Sequence, residues 1–342
     1  MAYWKTPALI LIISLVATVI VFEYWLGREY IADPCPGEIG LQSSCWTAHY
    51  IRMIDERGPL AALHDLKGRY EHGGGARLFC HPILHDIGAA AGKEFGTIAE
   101  SFRHGDPFCR SGYYHGVMEY LFGEDGGGEL LSQLDSICAD ARGKERYSYD
   151  YFACVHGVGH GLMAYFDHEL FKSLSGCELL TGSWEQATCA GGVFMENIGA
   201  DSPEFPSKYL KTDDLVYPCN AVKDSYRQQC FQMQTSYMLK LNGGDFAATF
   251  AACRGVEEEY RISCYQSIGR DVSGWTYGDA AEARTLCALG ITAEEKSHCL
   301  LGVGVDFIQS VGTREARAFC ADSPEGERTP CIQGVEWQVQ AL

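Results

Sequence analysis

Five of the eleven histidines fall into three short motifs. CHPILHD carries His81 and His85, CRSGYYHGVME carries His115 with Glu119 four residues on, and CVHGVGHG carries His156 and His160. Each is an i, i+4 pair. On a helix such residues share a face with Cβ atoms about 5–6 Å apart, so two imidazoles, or an imidazole and a carboxylate, can grip one cation. A simple count of template matches gives roughly 0.3 H-x-x-x-H pairs by chance in this composition, and two occur. All three pairs begin soon after a cysteine, and His115 and His160 both stand six residues beyond it. Helices stacked in register would turn these two positions toward each other.

The expected metal site is therefore His81, His85, His115, Glu119, His156 and His160. Asp86 and Glu196 are candidates to receive the imidazole N–H groups and so orient the rings. Six nitrogen and oxygen donors exceed the four of a structural zinc site. Five histidines to one carboxylate is too nitrogen-rich for a ferritin-like di-iron centre. Nitrogen-rich sites suit copper, iron, zinc or nickel, and copper is favoured by raw affinity. The remaining histidines, 49, 64, 72, 104, 168 and 298, are scattered and read as solvated or hydrogen-bonded surface residues.

Two local resemblances bear on the chemistry. H-x-x-x-H pairs on paired helices are similar to those of dicopper oxidases such as tyrosinases, a resemblance of motif alone. ILHDIG, residues 83–88, resembles the His-Asp core of HD-type phosphohydrolases, which implies a further upstream histidine and a downstream aspartate on a helical domain. None of His49, His64 and His72 sits in a recognisable helix motif of that kind.

The elements that must hold these residues are written in cysteines. All sixteen lie beyond residue 34, and from Cys138 onward they pair as 138/154, 177/189, 219/230, 253/264, 287/299 and 320/331. The second members recur at steps of 35, 41, 34, 35 and 32 residues, a period expected of stacked supersecondary units. AAEARTLCALG reads as a short helix ending near Cys287, ITAEEKSHC as a polar connection, and CLLGVGVDFIQSV as a second helix starting at Cys299. Each unit is thus a helical hairpin with a disulfide between its two helices. Closing a 12-residue loop stabilises by roughly 3 kcal/mol in the chain-entropy model, which an eight-residue helix needs because it is unstable alone. The same spacing joins 35 to 45, leaving 80 for 109. No C-x-x-C occurs, so thiolate zinc ribbons and thioredoxin-like redox motifs are not expected.

C-x-x-G follows Cys109, Cys154, Cys189, Cys299 and Cys331. A glycine one turn beyond the cysteine lets a neighbouring helix come close, which explains Gly157 and, four residues on, Gly161. It does not by itself account for Gly159, for which room for a substrate, room for a second metal and close helix approach remain open.

The chain divides as follows. Residues 1–6 are a short cytoplasmic N-terminus. Residues 7–26, PALILIISLVATVIVFEYWL, are apolar and close to the roughly 20 residues that cross a bilayer, with Tyr3 and Trp4 before and Tyr24 and Trp25 near the end, as in an aromatic belt. FEYWLGREY offers no small-x-small cleavage site, so an uncleaved single-pass anchor is expected rather than a signal peptide. A juxtamembrane segment over 27–44, a histidine-rich region over 45–200 and cysteine-paired hairpins over 201–342 follow. The fold expected is all-α, disulfide-stapled and solenoid-like, with the bulk of the chain in an oxidising, extracytoplasmic compartment, periplasmic or extracellular. A net charge of −18 argues against nucleic acid as a partner. The function expected is a metal-dependent oxidoreductase, copper or iron, acting on a small-molecule or protein substrate. The alternatives are metal capture and delivery, or an interaction scaffold with structural histidines.

Overall fold

The computed structural model describes residues 34–36, 42–72, 75–123, 127–139, 141, 143–201 and 206–340. The anchor expected over 7–26 lies outside them. Among the described residues no helix is long and apolar enough to cross a membrane, there is no strand, and the fold is all-α.

Helices α1 (Ser43–Arg57), α2 (Pro59–His72), α3 (Gly75–Phe95) and α4 (Ile98–Arg103) lead into α5 (Gly112–Gly123). Two short helices, α6 (Gly127–Ser132) and α7 (Leu134–Ile137), precede α8 (Tyr149–Tyr165). From there short and long helices mostly alternate: α9 (Leu170–Cys177) and α10 (Ser183–Gly199), then α11 (Asp224–Asn242), α12 (Phe246–Arg254) and α13 (Glu258–Trp275). The last are α14 (Ala280–Cys287), α15 (Ala293–Ser310), α16 (Thr313–Ala321) and α17 (Glu325–Gln340).

The long helices α3, α5, α8, α10, α11, α13, α15 and α17 pack each against the next in chain order. The row curves back on itself. Arg110, just before α5, pairs with Asp306 of α15 through Nε at 3.0 Å and Nη2 at 2.7 Å. The Tyr70 hydroxyl donates to the carbonyls of Gln309 and Ser310, 239 and 240 residues away. Helices distant in sequence therefore share an interior. One apolar cluster runs from Ile98 to Val335 and a second from Cys35 to Ala153, so the core is continuous across residue 201.

All eight disulfides form with the expected partners: 35/45, 80/109, 138/154, 177/189, 219/230, 253/264, 287/299 and 320/331. Cys177, Cys253, Cys287 and Cys320 sit in the last turn of a short helix and their partners lie inside the following long one. The polar connection expected before Cys299 is different: α15 already starts at Ala293. Thr292 Oγ1 accepts from the Glu295 N–H at 3.2 Å, while the Glu295 carboxylate accepts from the Ile291 N–H at 2.7 Å. This near-capping-box satisfies donors that the helix leaves open, so a polar stretch becomes a helix start.

Glycines set the closest crossings. A Cβ at Gly192 would lie 2.0 Å from the His156 carbonyl oxygen, and one at Gly159 would lie 2.1 Å from that of Cys189. Gly269 and Gly302 meet in the same way across α13 and α15, where their Cβ positions lie 2.1 Å from the carbonyls of Cys299 and Gln266. Of the roles open to Gly159, the structure shows the close helix approach. It is a backbone contact between α8 and α10, and the space beside it is filled by α10. Gly157 and Gly161 instead face the side chains of Met118 and Phe122.

Candidate metal centre

Helices α3, α5 and α8 are neighbours in the row, and they bring the five histidines together. The His115 and His160 rings stack with centroids 4.2 Å apart and planes 14° apart. His81 and His85 lie 5.4 and 5.3 Å from His115, and His156 lies 5.2 Å from both His115 and His160. His115, His156 and His160 are buried, at 2%, 3% and 1% exposure. Pro82 sits between His81 and His85 without ending α3.

Two overlapping groups could each hold a metal ion: His81, His85 and His115, and His115, His156 and His160. In each, one ligand atom per residue lies within 4.8 Å of the others. A third group, Glu119, His160 and Glu196, meets the same criterion.

The hydrogen bonds decide which ring nitrogens are bare. His81 Nδ1 lies 3.1 Å from the Cys109 carbonyl, and His85 Nδ1 lies 3.1 Å from Glu119 Oε2. Both acceptors lack a proton, so both Nδ1 atoms carry one and donate. In the neutral rings the Nε2 atoms then present lone pairs. These two Nε2 atoms face each other at 3.3 Å. Lone pairs so placed repel unless a proton or a metal ion lies between them. Two nitrogens bound to one tetrahedral metal at about 2.0–2.1 Å are themselves about 3.3 Å apart.

On α8 the rings are likewise held through one nitrogen, although His160, raised by its two carboxylate partners, carries a proton on Nε2 as well when no metal is bound. His160 Nδ1 donates to Glu196 Oε2 at 2.9 Å and lies 3.3 Å from Glu119 Oε1, while its Nε2 is buried without a partner. His156 hydrogen-bonds to the Thr188 backbone and also keeps a buried, unpartnered Nε2. His115 Nδ1 is buried and unpartnered as well. Orphaned buried nitrogens are costly, and here they converge. Rings oriented through one nitrogen by a carboxylate or carbonyl, with the other nitrogen bare, are the arrangement of metal-ligating histidines.

Glu119 bridges His85 and His160 and so occupies the orienting position. Glu196 orients His160, as expected for it. Asp86 is exposed, and among the described residues no hydrogen bond joins it to a histidine. His85 Nδ1 faces Glu119 rather than Asp86.

Electrostatics follow the same layout. Burial, with the neighbouring His85, lowers His81 to about 3. Burial and the surrounding rings hold His115 and His156 well below the usual histidine value. Burial also opposes charge on His160, yet its hydrogen bonds to Glu119 and Glu196 outweigh this and raise it to about 9. Burial opposes charge on Glu119 too, but the hydrogen bonds from His160 and His85 hold it well below the usual carboxylate range.

The turn before α5 is strained. Cys109, Arg110 and Ser111 have φ values of 52°, 55° and 60°, left-handed conformations that cost L-residues roughly 1–2 kcal/mol each. Its contacts hold it. Cys109 is tied to Cys80 and accepts from His81, Arg110 pairs with Asp306, and the Ser111 hydroxyl donates to the Tyr149 hydroxyl at 2.9 Å. The turn positions both a histidine and the wall of a cavity.

That cavity, of about 700 Å³, lies inside the curve of helices and has His115 and His156 in its wall. Its lining follows a register. Residues two and six beyond the second cysteine of a pair recur in it: Ser111 and His115, Gln266 and Arg270, Leu301 and Val305. His156 and Gln232 occupy the first of these positions, and Met195 and Trp337 the second. Reading the sequence for histidines alone missed this wall, although the shared offset of His115 and His160 carried the signal.

Compared with known proteins, the chain matches no family model, no curated protein and no solved structure.

Proposed function

We propose that this protein is a metalloenzyme of the oxidoreductase class, binding one or two transition-metal ions through His81, His85, His115, His156 and His160. The observation that carries this reading is the pair of bare Nε2 atoms of His81 and His85 at 3.3 Å, the edge of a metal tetrahedron. Copper is the preferred ion, ahead of iron and zinc. The donors are imidazoles, every described cysteine is in a disulfide, and the affinity order of such sites peaks at Cu²⁺. Glu119 and Glu196 serve as partners that orient the rings. His115 and His156 reach the cavity, so a substrate held there would adjoin the ions, which favours turnover over capture and delivery. The protein is anchored by residues 7–26, its hairpin units are copies of one repeat, and its domain lies outside the cytoplasm, where eight disulfides persist.

The test is metal analysis of the full-length protein purified in detergent without chelators, followed by titration of the stripped protein with copper, iron and zinc. Binding with release of protons is expected, since His160, raised to about 9 by Glu119 and Glu196, must give up its Nε2 proton to become a ligand. Replacement of His85 or His160 by alanine is expected to lower metal content with the helix signal and disulfides retained. A wild-type protein that carries none of these metals and takes up none on titration would overturn the reading.

A further inference from the structure

The cavity wall carries a charge pattern opposite to that of the whole protein. The chain has a net charge of −18, yet among the described residues the wall contains Arg110, Arg146 and Arg270, with Asp306 as its one carboxylate side chain and with no lysine or glutamate. The three arginines are not equivalent. Arg270 is consumed by its surroundings, donating to Asp271, Ser236 and the Gln232 carbonyl. Arg110 gives Nε and Nη2 to Asp306, while its Nη1 has no partner among the described residues. Arg146 has no ion-pair partner among the described residues. Cationic donors therefore remain available in a partly enclosed space, where a wall of one sign focuses the field.

The neighbouring surface is aromatic. Phe152 stacks on His156 with centroids 5.4 Å apart and planes 27° apart. Trp184 stands edge-on to Phe152 at 6.5 Å and 67°. Tyr147 and Trp337 also line the cavity and are 50% and 71% exposed. Flat rings beside unspent guanidinium donors match a ligand with a planar apolar body and an anionic oxygen group.

We infer that the cavity binds a small aromatic oxyanion, a carboxylate or a phosphate ester, with its anionic group on Arg110 and Arg146 and its ring among Phe152, Trp184 and Trp337. This deepens the proposed function by naming the substrate class, and it rests on that reading in placing the ligand beside the histidines. Arg110 is fixed in orientation by Asp306 and by the strained turn, so one side of the anion site is built before the ligand arrives. Arg146 stands on the exposed rim beside Tyr147 and supplies the second cation. A guanidinium matches either oxyanion through paired N–H donors.

The test is equilibrium dialysis of the full-length protein in detergent, both as purified and after metal removal, against 2-naphthoate, 2-naphthyl phosphate, neutral 2-naphthamide and inorganic phosphate. The expected result is saturable binding of at least one aromatic anion, about tenfold tighter than the amide, as a charge-assisted hydrogen bond provides. Arg146→Gln is expected to weaken anion binding about tenfold and leave the amide unchanged, and Trp337→Ala to weaken anion and amide alike. Both side chains are exposed, so neither variant threatens the fold. The two naphthyl anions separate a carboxylate site from a phosphate site. Equal affinity for the amide, equal affinity for inorganic phosphate, an unaltered Arg146→Gln protein, or no binding of either naphthyl anion would each overturn the inference. So would binding that vanishes with the metal, since that places the anion on the ion rather than the arginines. Anion binding that persists in a protein with no metal capacity would leave the arginine site standing and remove the metalloenzyme reading instead.

Discussion

Gly159 provides the sharpest test of how the site is assembled. Alanine at this position adds one methyl group to the inside of α8. Its Cβ would lie 2.1 Å from the Cys189 carbonyl oxygen, 2.7 Å from the Val193 nitrogen and 2.9 Å from the Gly192 Cα, where ordinary contact begins near 3.4 Å. Helices α8 and α10 must therefore separate locally by about 1.3 Å, the difference between 3.4 and 2.1 Å. All three obstructing atoms are backbone, so no side chain can rotate away. Alanine gains up to about 1 kcal/mol in helix propensity, whereas forced overpacking typically costs 1–3 kcal/mol and sometimes more. Because the obstruction is rigid, the upper end applies, and a net loss of about 2 kcal/mol is expected. For a chain of this size that lowers the melting temperature by roughly 3 °C.

The same displacement reaches the site. His156 and His160 flank Gly159 on α8, and the Gly192 Cβ position already lies 2.0 Å from the His156 carbonyl oxygen. Metal–ligand distances tolerate only about 0.2 Å, so a separation several times larger is expected to weaken metal binding as well. The assay is thermal unfolding of the metal-free protein under non-reducing conditions, with metal titration in parallel. Gly199→Ala is the control, because it lies in α10 and nothing stands within 4 Å of its Cβ position. It is expected to be neutral or slightly stabilising. A Gly159→Ala protein at least as stable as the wild type would refute the crossing, and with it the placement of α8 against α10.

Three further outcomes are expected. Metal-free protein should be most stable near pH 6.5. Below this value the unfolded chain protonates His81, His115 and His156 while the native chain does not, so their contribution falls with pH towards about 3 for His81. Above it, native His160 keeps a proton to about 9 that the unfolded chain loses, so its contribution falls as pH rises; urea midpoints across pH 4–9 check both limbs, and a midpoint that climbs steadily to pH 9 would contradict the His160 assignment. Non-reducing peptide mapping should recover 253/264, 287/299 and 320/331 as local bonds, and bonds across units would contradict the hairpin plan. Replacing residues 1–26 with a cleavable export signal should release a soluble domain, whereas a mature native protein starting well beyond residue 26 would exclude the uncleaved anchor.

What could be read from the residues divides along a physical line. Features set by distance along the chain were legible. A disulfide between neighbouring helices needs cysteines one short connection apart, so spacing named seven of the eight pairs, while Cys80 and Cys109, 29 residues apart, were only the two left over. The convergence of His115 and His160 was legible for the same reason, as equal offsets from equivalent cysteines become adjacency once helices stack. Features set by where two helices cross were not. Nothing in VHGVGHG shows that α10 passes over Gly159 rather than Gly157, because the crossing point depends on the angle between helices and not on either sequence alone. Glu119 shows the limit at the scale of one side chain. Its i+4 spacing from His115 places it at the cluster, where it could join a metal-holding group with His160 and Glu196, but its contacts with the Nδ1 atoms of His85 and His160 could not be read from spacing.

The polar run before Cys299 failed for a different reason. ITAEEKSHC lacks an apolar stripe, so periodicity reads it as a connection, although Thr292 and Glu295 stand at the spacing of a capping pair. Glu295 is nearly fully buried because it closes the helix start and also pairs with Arg254 at 3.1 Å. Starting α15 at Ala293 places Cys299 in its second turn rather than at its tip. Leu301 and Val305 then fall on the inner face with Gln266 and Arg270 of α13. The cysteine thus acts as a register mark as well as a staple: on α8, α10, α11, α13, α15 and α17 at least one of the residues two and six beyond it lines the cavity, with side chains of varied chemistry. Histidines at those offsets on some helices and glutamine, arginine or leucine on others can then differ without a change of fold, so the wall has a histidine side, with His115 and His156, and a side with Gln266, Arg270, Leu301 and Val305.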